Sequence, residues 1–97
     1  MKVHWTDAAE AQLDAIYEYI AQNSTTYALR TVDRITKRSK QIAAFPLSGR
    51  KVPEYDLKQI REVFTGPYRI IYYLKPDQID VIAVIHGAMN VLGDEQE

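Results

Sequence analysis

Glu62, Arg69 and His86 are the residues of this sequence whose types and spacing best suit chemistry on a phosphate ester. An arginine can hold the anion, while a glutamate and a histidine can exchange protons with the reacting oxygens. The same residues also fit a purely structural interpretation, in which Glu62 and Arg69 form a surface ion pair and His86 is a hydrogen-bonded histidine at a strand end. Such a pair contributes only about 0–1 kcal/mol to stability. The residues alone leave both interpretations open.

Three short segments of the C-terminal half predict the strands that would carry these side chains. Residues 60–65, 68–74 and 79–86 are rich in Ile, Val, Tyr and Phe, and Gly66-Pro67 and Pro76-Asp77 separate them. This pattern predicts a three-stranded antiparallel meander. The last segment is apolar at nearly every position, which predicts a central strand that is covered on both faces.

Two-residue turns at 66–67 and 76–77 would fix which side chains share a face of this sheet. With that register, Glu62, Arg69 and His86 lie on one face together with Tyr73 and Asp80. The opposite, core-facing side would hold Arg61, Val63, Tyr68, Ile70, Tyr72, Leu74, Ile79, Val81, Ala83 and Ile85. The first face is too polar to be only core, so we expect it to be partly open.

The N-terminal half predicts one strand followed by a helical hairpin. Residues 2–5 alternate polar and apolar, and a helix over 7–22 follows, with Asp7 and Glu10 as a capping box. Turn residues 23–26 can cap a second helix, which Pro46 ends, and 45–59 is predicted to be a loop. The sequence therefore predicts a single domain over 1–97 of the α+β class, β-α-α-β-β-β, with the hairpin packed on a small, mainly antiparallel sheet and a short acidic tail from about residue 90.

Composition and charge narrow the classes of function. The chain has no cysteine, no apolar N-terminal leader and no run long enough to span a membrane, so we expect a cytoplasmic protein without membrane contact. His4 and His86 are the only histidines and lie in no ligand-spaced motif, so no metal or cofactor is expected. The net charge is −1, but residues 24–69 carry ten Lys and Arg against four acids. The excess of positive charge in residues 24–69 indicates either an anionic partner or a solvated helix face.

Short motifs along nearly the whole chain resemble the ParE/RelE superfamily of toxins from type II toxin–antitoxin systems. They are VHWTDAA (3–9), LDAIYEYI (13–20), FPLSGR (45–50), IREV (60–63), YRIIY (68–72) and VIHGAMN (84–90). The β-α-α-β-β-β order of that superfamily agrees with the order predicted above. The resemblance implies a cognate antitoxin, acidic and partly disordered, for which we expect Arg30, Arg34, Arg38 and Arg50 to be the contacts.

The ending His86-x-x-Met89-Asn90 resembles the ParE branch, whose members bind DNA gyrase and block it without a catalytic site of their own. On that resemblance the target contacts would be His86, Met89, Asn90 and Leu92. The sequence favours this branch, and with it a non-catalytic inhibitor.

The RelE/YoeB branch, which cuts mRNA on the ribosome, is the alternative. Resemblance to it would make Glu54 the base, Arg61 and Arg69 the phosphate-binding residues and His86 the acid. Two features count against it: the predicted register puts Arg61 and Arg69 on opposite faces, and a net charge of −1 suits RNA poorly. A protein-binding module without toxicity is a third possibility.

Overall fold

Helices and strands follow one another in the predicted order, with one added strand. A computed structural model of the chain describes residues 1–87. Its elements are β1 (Lys2–Trp5), α1 (Asp7–Ala21), α2 (Thr25–Ala44), β2 (Arg50–Lys51), β3 (Ile60–Thr65), β4 (Tyr68–Leu74) and β5 (Gln78–His86). The α+β prediction is confirmed. β2 lies inside the segment that was predicted to be a loop. The sequence did not predict this strand because two residues are too few to show a strand pattern.

Helix α1 begins at Asp7, as predicted, but the residue that caps it is the one before. Thr6, not Asp7, is the N-cap: its hydroxyl accepts a hydrogen bond of 3.2 Å from the Ala9 N–H and donates one of 3.1 Å to the Val81 carbonyl. A carboxylate could accept the first bond but could not donate the second. The prediction for Asp7 was therefore wrong, and the hydroxyl joins the start of α1 to the sheet.

Helix α2 begins where its turn residues predict. Ser24 is the N-cap and accepts a 3.0 Å hydrogen bond from the Tyr27 N–H. The buried stripe of the helix comprises Ala28, Thr31, Ile35, Ser39 and Ile42. Their three- and four-residue spacing keeps them on one side of the helix, which faces α1 and the sheet.

The sheet has the strand order β1-β5-β4-β3-β2, and among residues 1–87 only the β1–β5 pair is parallel. β5 is interior, as predicted. We call the side that packs against α1 and α2 the helix face and the other side the outer face. The main core lies on the helix face, where it contains Ile35, Ile42, Val63, Ile70, Tyr72, Ile79, Val81 and Val84. A smaller core on the outer face contains Val52, Ile60, Ile71, Ala83 and Ile85.

The register between β4 and β5 corrects the predicted faces. Tyr72 pairs with Val81 as predicted, but the register shifts by one residue between Ile71 and Tyr72, so Tyr68 pairs with His86. The extra residue of this bulge, Ile82, reverses the alternation of everything that follows it. Ala83 and Ile85 therefore lie on the outer face, while Val84 and His86 lie on the helix face. A strand that is apolar on both sides gives no sequence signal for a bulge.

No helix within residues 1–87 is long and apolar enough to cross a membrane. In the same part of the chain, no three His, Asp or Glu side chains are grouped as a metal ion would require.

Removing Ile35 tests the position of the main core. Its side chain is fully buried, so Ile35→Ala should lower the free energy of unfolding by about 2–5 kcal/mol through lost burial and the cavity that remains. Leu29 lies on the same helix with 60 % of its surface exposed, and Leu29→Ala is the matched control. We expect the control to change stability by less than about 0.5 kcal/mol in urea denaturation. Equal effects of the two substitutions would contradict this placement of α2.

Candidate functional site

Four charged side chains form a closed ion cluster on the outer face, which we define as Arg50, Glu54, Glu62 and Arg69. Arg69 donates from Nε to Glu62 at 2.7 Å, and from its two terminal nitrogens to the Glu54 carboxylate at 2.9 and 3.0 Å. Arg50 donates from Nε to the second oxygen of Glu62 at 2.6 Å. The predicted contact between Glu62 and Arg69 is confirmed, and two further partners join it.

Burial distinguishes this cluster from a surface ion pair. The Glu62 side chain is fully buried and that of Arg69 is 5 % exposed, while Glu54 is 17 % and Arg50 62 % exposed. The bonds that Arg69 donates to Glu54, and then those to Glu62, raise the pKa of its guanidinium, although burial acts in the opposite direction. The expectation of a weak surface pair was therefore wrong. Removing one partner of a buried ion pair leaves the other charge buried and uncompensated, which lowers the free energy of unfolding by about 3–5 kcal/mol.

The chain between β2 and β3 brings Glu54 to the cluster. Val52 is fully buried in the outer core, and its carbonyl accepts hydrogen bonds from the N–H groups of Tyr55 and Asp56, each at 3.2 Å. Asp56 has a φ of 53°, which a short polar side chain tolerates in a tight turn. Its carboxylate binds Lys51 at 2.9 Å, and this hydrogen bond lowers the pKa of Asp56. The turn thus points Glu54 back at β4.

Gly49 lets the chain before β2 approach the sheet closely. A Cβ at this position would lie 2.6 Å from the Glu62 carbonyl oxygen, so a larger residue would push the two strands apart. The Tyr72 hydroxyl accepts a 3.0 Å hydrogen bond from the Gly49 N–H and donates one of 2.9 Å to the Pro46 carbonyl. Burial is the main cause that raises the pKa of Tyr72. This tyrosine therefore stays protonated and fixes the turn that leads into Arg50.

Arg61 and His86, the other residues of the predicted nuclease set, lie away from the ion cluster. Arg61 pairs with Tyr72 in register and donates a 2.9 Å hydrogen bond to the Gly49 carbonyl, so it supports the 46–49 turn from the helix face. His86 packs edge-on against Tyr68, with ring centroids 6.0 Å apart, and borders a groove beside α1. The prediction that His86 shares a face with Glu62 and Arg69 was wrong because of the bulge at Ile82.

The residues predicted to meet partners are spread over three regions. Arg30 and Arg34 are exposed on α2, and Arg38 is half-buried there and donates a 3.2 Å hydrogen bond to Gln41. Arg50 belongs to the ion cluster and lies with its guanidinium carbon 5.4 Å from the centre of the Phe64 ring. The four arginines therefore do not form one surface. Met89, Asn90 and Leu92 lie outside the described residues.

Sequence reasoning missed two side-chain contacts, one within the ion cluster and one on the helix face. Arg50 was assigned to a partner surface, and its bond to Glu62 depends on β2, which the sequence did not show. Gln12 accepts a 2.9 Å hydrogen bond from the Val84 N–H across 72 residues of sequence. A glutamine on the polar side of a helical pattern carries no signal for such a bond.

Comparison with known proteins shows the class to which this fold and site belong. A model of the family described as the ParE toxin of the type II toxin–antitoxin system parDE matches residues 3–91. The toxin RelE2 of Caulobacter vibrioides is 32 % identical over 87 residues, which cover 90 % of this chain and 96 % of that protein. The chain belongs to the ParE family of toxins from type II toxin–antitoxin systems.

Solved structures of toxin–antitoxin systems share the fold. A chain of the chromosomal ParDE system from P. aeruginosa superimposes with a TM-score of 0.73 and 25 % identity, covering 89 % of this chain and 95 % of that one. The toxin–antitoxin complex RelBE2 from Mycobacterium tuberculosis gives a TM-score of 0.66 at 17 % identity, covering 88 % and 95 %. The second likeness is one of fold alone. The names of these relatives come from both branches and do not separate the two targets.

Stability measurements on the ion cluster test its burial. Arg69→Ala should destabilise the protein by about 3–5 kcal/mol, because Glu62 would keep a buried charge with only Arg50 to balance it. The exposed pair Lys37–Asp33 provides the control, and Lys37→Ala should cost less than about 0.5 kcal/mol.

A double substitution distinguishes two causes of the lost stability: an uncompensated buried charge and the loss of side-chain packing. Glu62→Leu combined with Arg69→Met removes both buried charges and keeps apolar bulk, while Glu54 and Arg50 retain access to water. This double variant should be more stable than Arg69→Ala alone in urea denaturation. A double variant less stable than the single one would show that the ions themselves are net stabilising.

Proposed function

We propose that this toxin arrests growth in the cytoplasm by binding DNA gyrase and blocking it, with no catalytic site of its own, and that a cognate acidic, partly disordered antitoxin neutralises it. Membership of the parDE toxin family supports this proposal. The resemblance of the chain's ending to the gyrase-binding branch supports it further.

The observation that carries the proposal is the mutual pairing of Glu54 and Arg69. A nuclease of the alternative branch would use these side chains as a base and a phosphate-binding cation, yet here each binds the other through two hydrogen bonds. Arg69 is also bound to Glu62, so its charge is already balanced before a phosphate arrives. With two arginines and two glutamates, the cluster has no excess positive charge to attract RNA.

Messenger RNA cleavage on the ribosome remains the second candidate, because two observations favour it. Glu54 and Arg69 are adjacent, as a base and a phosphate-binding residue should be. The 32 % identical relative from Caulobacter vibrioides also carries the name RelE2. Against it, the other two residues of the nuclease set, Arg61 and His86, lie on the helix face.

Glu54→Gln distinguishes the two activities, since it removes a carboxylate base while keeping the size of the side chain. If the protein acts on gyrase, inhibition of supercoiling by the variant should stay within about threefold of wild type, because a non-catalytic inhibitor needs no base. Circular dichroism would check that the variant folds after losing the Glu54 charge that balances Arg69. A nuclease without its base should lose on the order of 100-fold or more in the rate of mRNA cleavage on translating ribosomes. Glu10→Gln, at an exposed position of α1, is the control. Ribosomal cleavage by wild type that is lost in Glu54→Gln would replace our first choice with the second.

The proposed gyrase contacts are His86, Met89, Asn90 and Leu92. A chain that ends after His86 should therefore stay folded, since the described core lies before that residue, and should lose gyrase inhibition. A chain that ends after Gly93 lacks only the last four residues, three of which are acidic, and should inhibit like the full-length protein. Circular dichroism would check folding, and a supercoiling assay would measure inhibition. Full inhibition by the shorter chain would show that gyrase is bound by residues other than Met89, Asn90 and Leu92.

For the antitoxin, we propose that Arg30, Arg34 and Arg38 on α2 receive acidic side chains. Arg50 would be a separate contact on the outer face, where 62 % of its side chain is exposed. Growth arrest on induced expression, relieved by co-expression of the antitoxin, would separate this proposal from a protein-binding module without toxicity.

A further inference from the structure

A small cleft lies between α2 and the hairpin that joins β3 to β4. Tyr27, Thr31 and Arg34 line it from the helix, and Thr65 and Tyr68 line it from the hairpin. It is separate from the groove beside α1, with which it shares only Tyr68. About 10 Å³ inside is free for the centre of a small group, which is the room that one water molecule or one oxygen of a larger ion needs.

The hydroxyl of Thr31 is buried at this cleft and has no hydrogen-bond partner among residues 1–87. The residue as a whole is only 4 % exposed. A hydroxyl within a helix commonly donates to a carbonyl three or four residues earlier, as Thr36 does to Val32 at 2.9 Å and Ser39 does to Thr36 at 2.7 Å. Thr31 makes no such bond, and a buried hydroxyl without a partner destabilises a protein. A polar ligand in the cleft would supply the missing partner.

The charge around the cleft favours an anion. Arg34 lines the cleft with an exposed side chain and belongs to none of the salt bridges among residues 1–87. The acid next to it in sequence, Asp33, binds Lys37 at 3.2 Å. Arg30 and Arg38 lie one turn before and one turn after Arg34 on α2, so the local potential is positive. No Asp or Glu is among the described residues that line the cleft.

Two phenol hydroxyls add hydrogen-bond donors to the lining, those of Tyr27 and Tyr68. Burial is the main cause that raises the pKa of Tyr68, and the neighbouring phenols of Tyr27 and Tyr19 raise it further. Tyr68 therefore stays protonated at neutral pH and can donate. Together with the hydroxyls of Thr31 and Thr65, these groups surround a space that has a cation beside it.

We propose that this cleft, which we call the oxyanion cleft, binds a phosphate group or another tetrahedral oxyanion. One oxygen of the ligand lies inside, at the Thr31 hydroxyl, and the Arg34 guanidinium binds the outer oxygens. The phosphate belongs either to a free ion or to the backbone of a nucleic acid, which share this chemistry. The inference goes beyond the proposed function and does not depend on which target the toxin has. The antitoxin contact proposed for Arg34 uses the guanidinium alone, so the two ligands would compete for it.

Size and charge together select this ligand over others. A water molecule fits the interior but does not neutralise Arg34, whereas an oxyanion satisfies the hydroxyl and the guanidinium together. An apolar ligand would leave the Thr31 hydroxyl unpaired. A metal ion would find no carboxylate or imidazole among the described lining residues.

Titration of the full-length protein with sodium phosphate tests the oxyanion cleft, with the ionic strength held constant by sodium chloride. We expect saturable NMR shifts of the Thr31 and Arg34 amides, with a dissociation constant on the order of 1 mM. Phosphate should also raise the melting temperature of the wild-type protein, because a ligand of the folded state stabilises it. Absence of a saturable shift up to about 50 mM phosphate would overturn the proposal. Equal shifts with chloride alone would assign the effect to screening and overturn it too.

Two substitutions in the cleft have matched expectations. Thr31→Val removes the hydroxyl and keeps the shape of the side chain, so phosphate binding should weaken about tenfold. Without phosphate, the melting temperature of Thr31→Val should equal or exceed that of wild type, because the wild-type hydroxyl has no partner to lose. Arg34→Gln should also weaken binding at least about tenfold. Arg30→Gln removes the same charge at an exposed position outside the cleft and should change binding less than about twofold.

These variants also give the results that would contradict the proposal. Equal weakening by Arg30→Gln and Arg34→Gln would reduce the site to general attraction of anions by α2. A lower melting temperature of Thr31→Val without phosphate, together with unchanged phosphate binding, would show that a water molecule alone occupies the cleft.

A short DNA duplex in the same titration distinguishes the two sources of phosphate. If the duplex shifts the Thr31 and Arg34 amides at least about tenfold more tightly than free phosphate, and phosphate competes with it, the ligand is a nucleic-acid backbone. If phosphate shifts these amides and the duplex does not, the ligand is a free phosphate. Either result supports the oxyanion cleft, and a duplex that binds wild type and Thr31→Val equally, with no response to phosphate, would overturn it.

Discussion

Much of the outer face of the sheet depends on balancing one fully buried carboxylate, that of Glu62. Its charge could not persist there alone, because a buried ion without partners costs several kcal/mol. Arg69 on the neighbouring strand and Arg50 on β2 supply the compensation, and Glu54 balances the second cation in turn. The position of β2, a strand of only two residues, is thus set by electrostatics together with the buried Val52 and the close approach at Gly49.

This constraint changes how the charged residues of the chain are understood functionally. Glu54, Glu62 and Arg69 have the residue types of an acid–base site, yet Arg69 donates hydrogen bonds to both glutamates. Holding a phosphate there would require Arg69 to leave bonds that are stronger for being buried. A protein that acts through its surface has no such conflict, and this is the physical reason for preferring an inhibitor to a nuclease.

The bulge at Ile82 has an equally wide effect on the opposite side. By adding one residue to β5, it moves His86 and Val84 to the helix face and leaves Ala83 and Ile85 on the outer face. Val84 thereby meets Gln12, and His86 meets Tyr68 at the rim of the groove. One extra residue in a strand therefore decides which candidate residues can act together.

The sequence by itself determined the order of all elements except β2, the two helices, the β3–β4 register and the Glu62–Arg69 contact. Each of these follows from local periodicity, turn residues or a short hairpin, where neighbours in space are near neighbours in the chain. Only the tertiary structure decided the bulge, the capture of Arg50 and Glu54 by the cluster, and the bond between Gln12 and Val84. These features join segments that are distant in the sequence. Their energies depend on burial, and the type of a residue does not show whether it is buried.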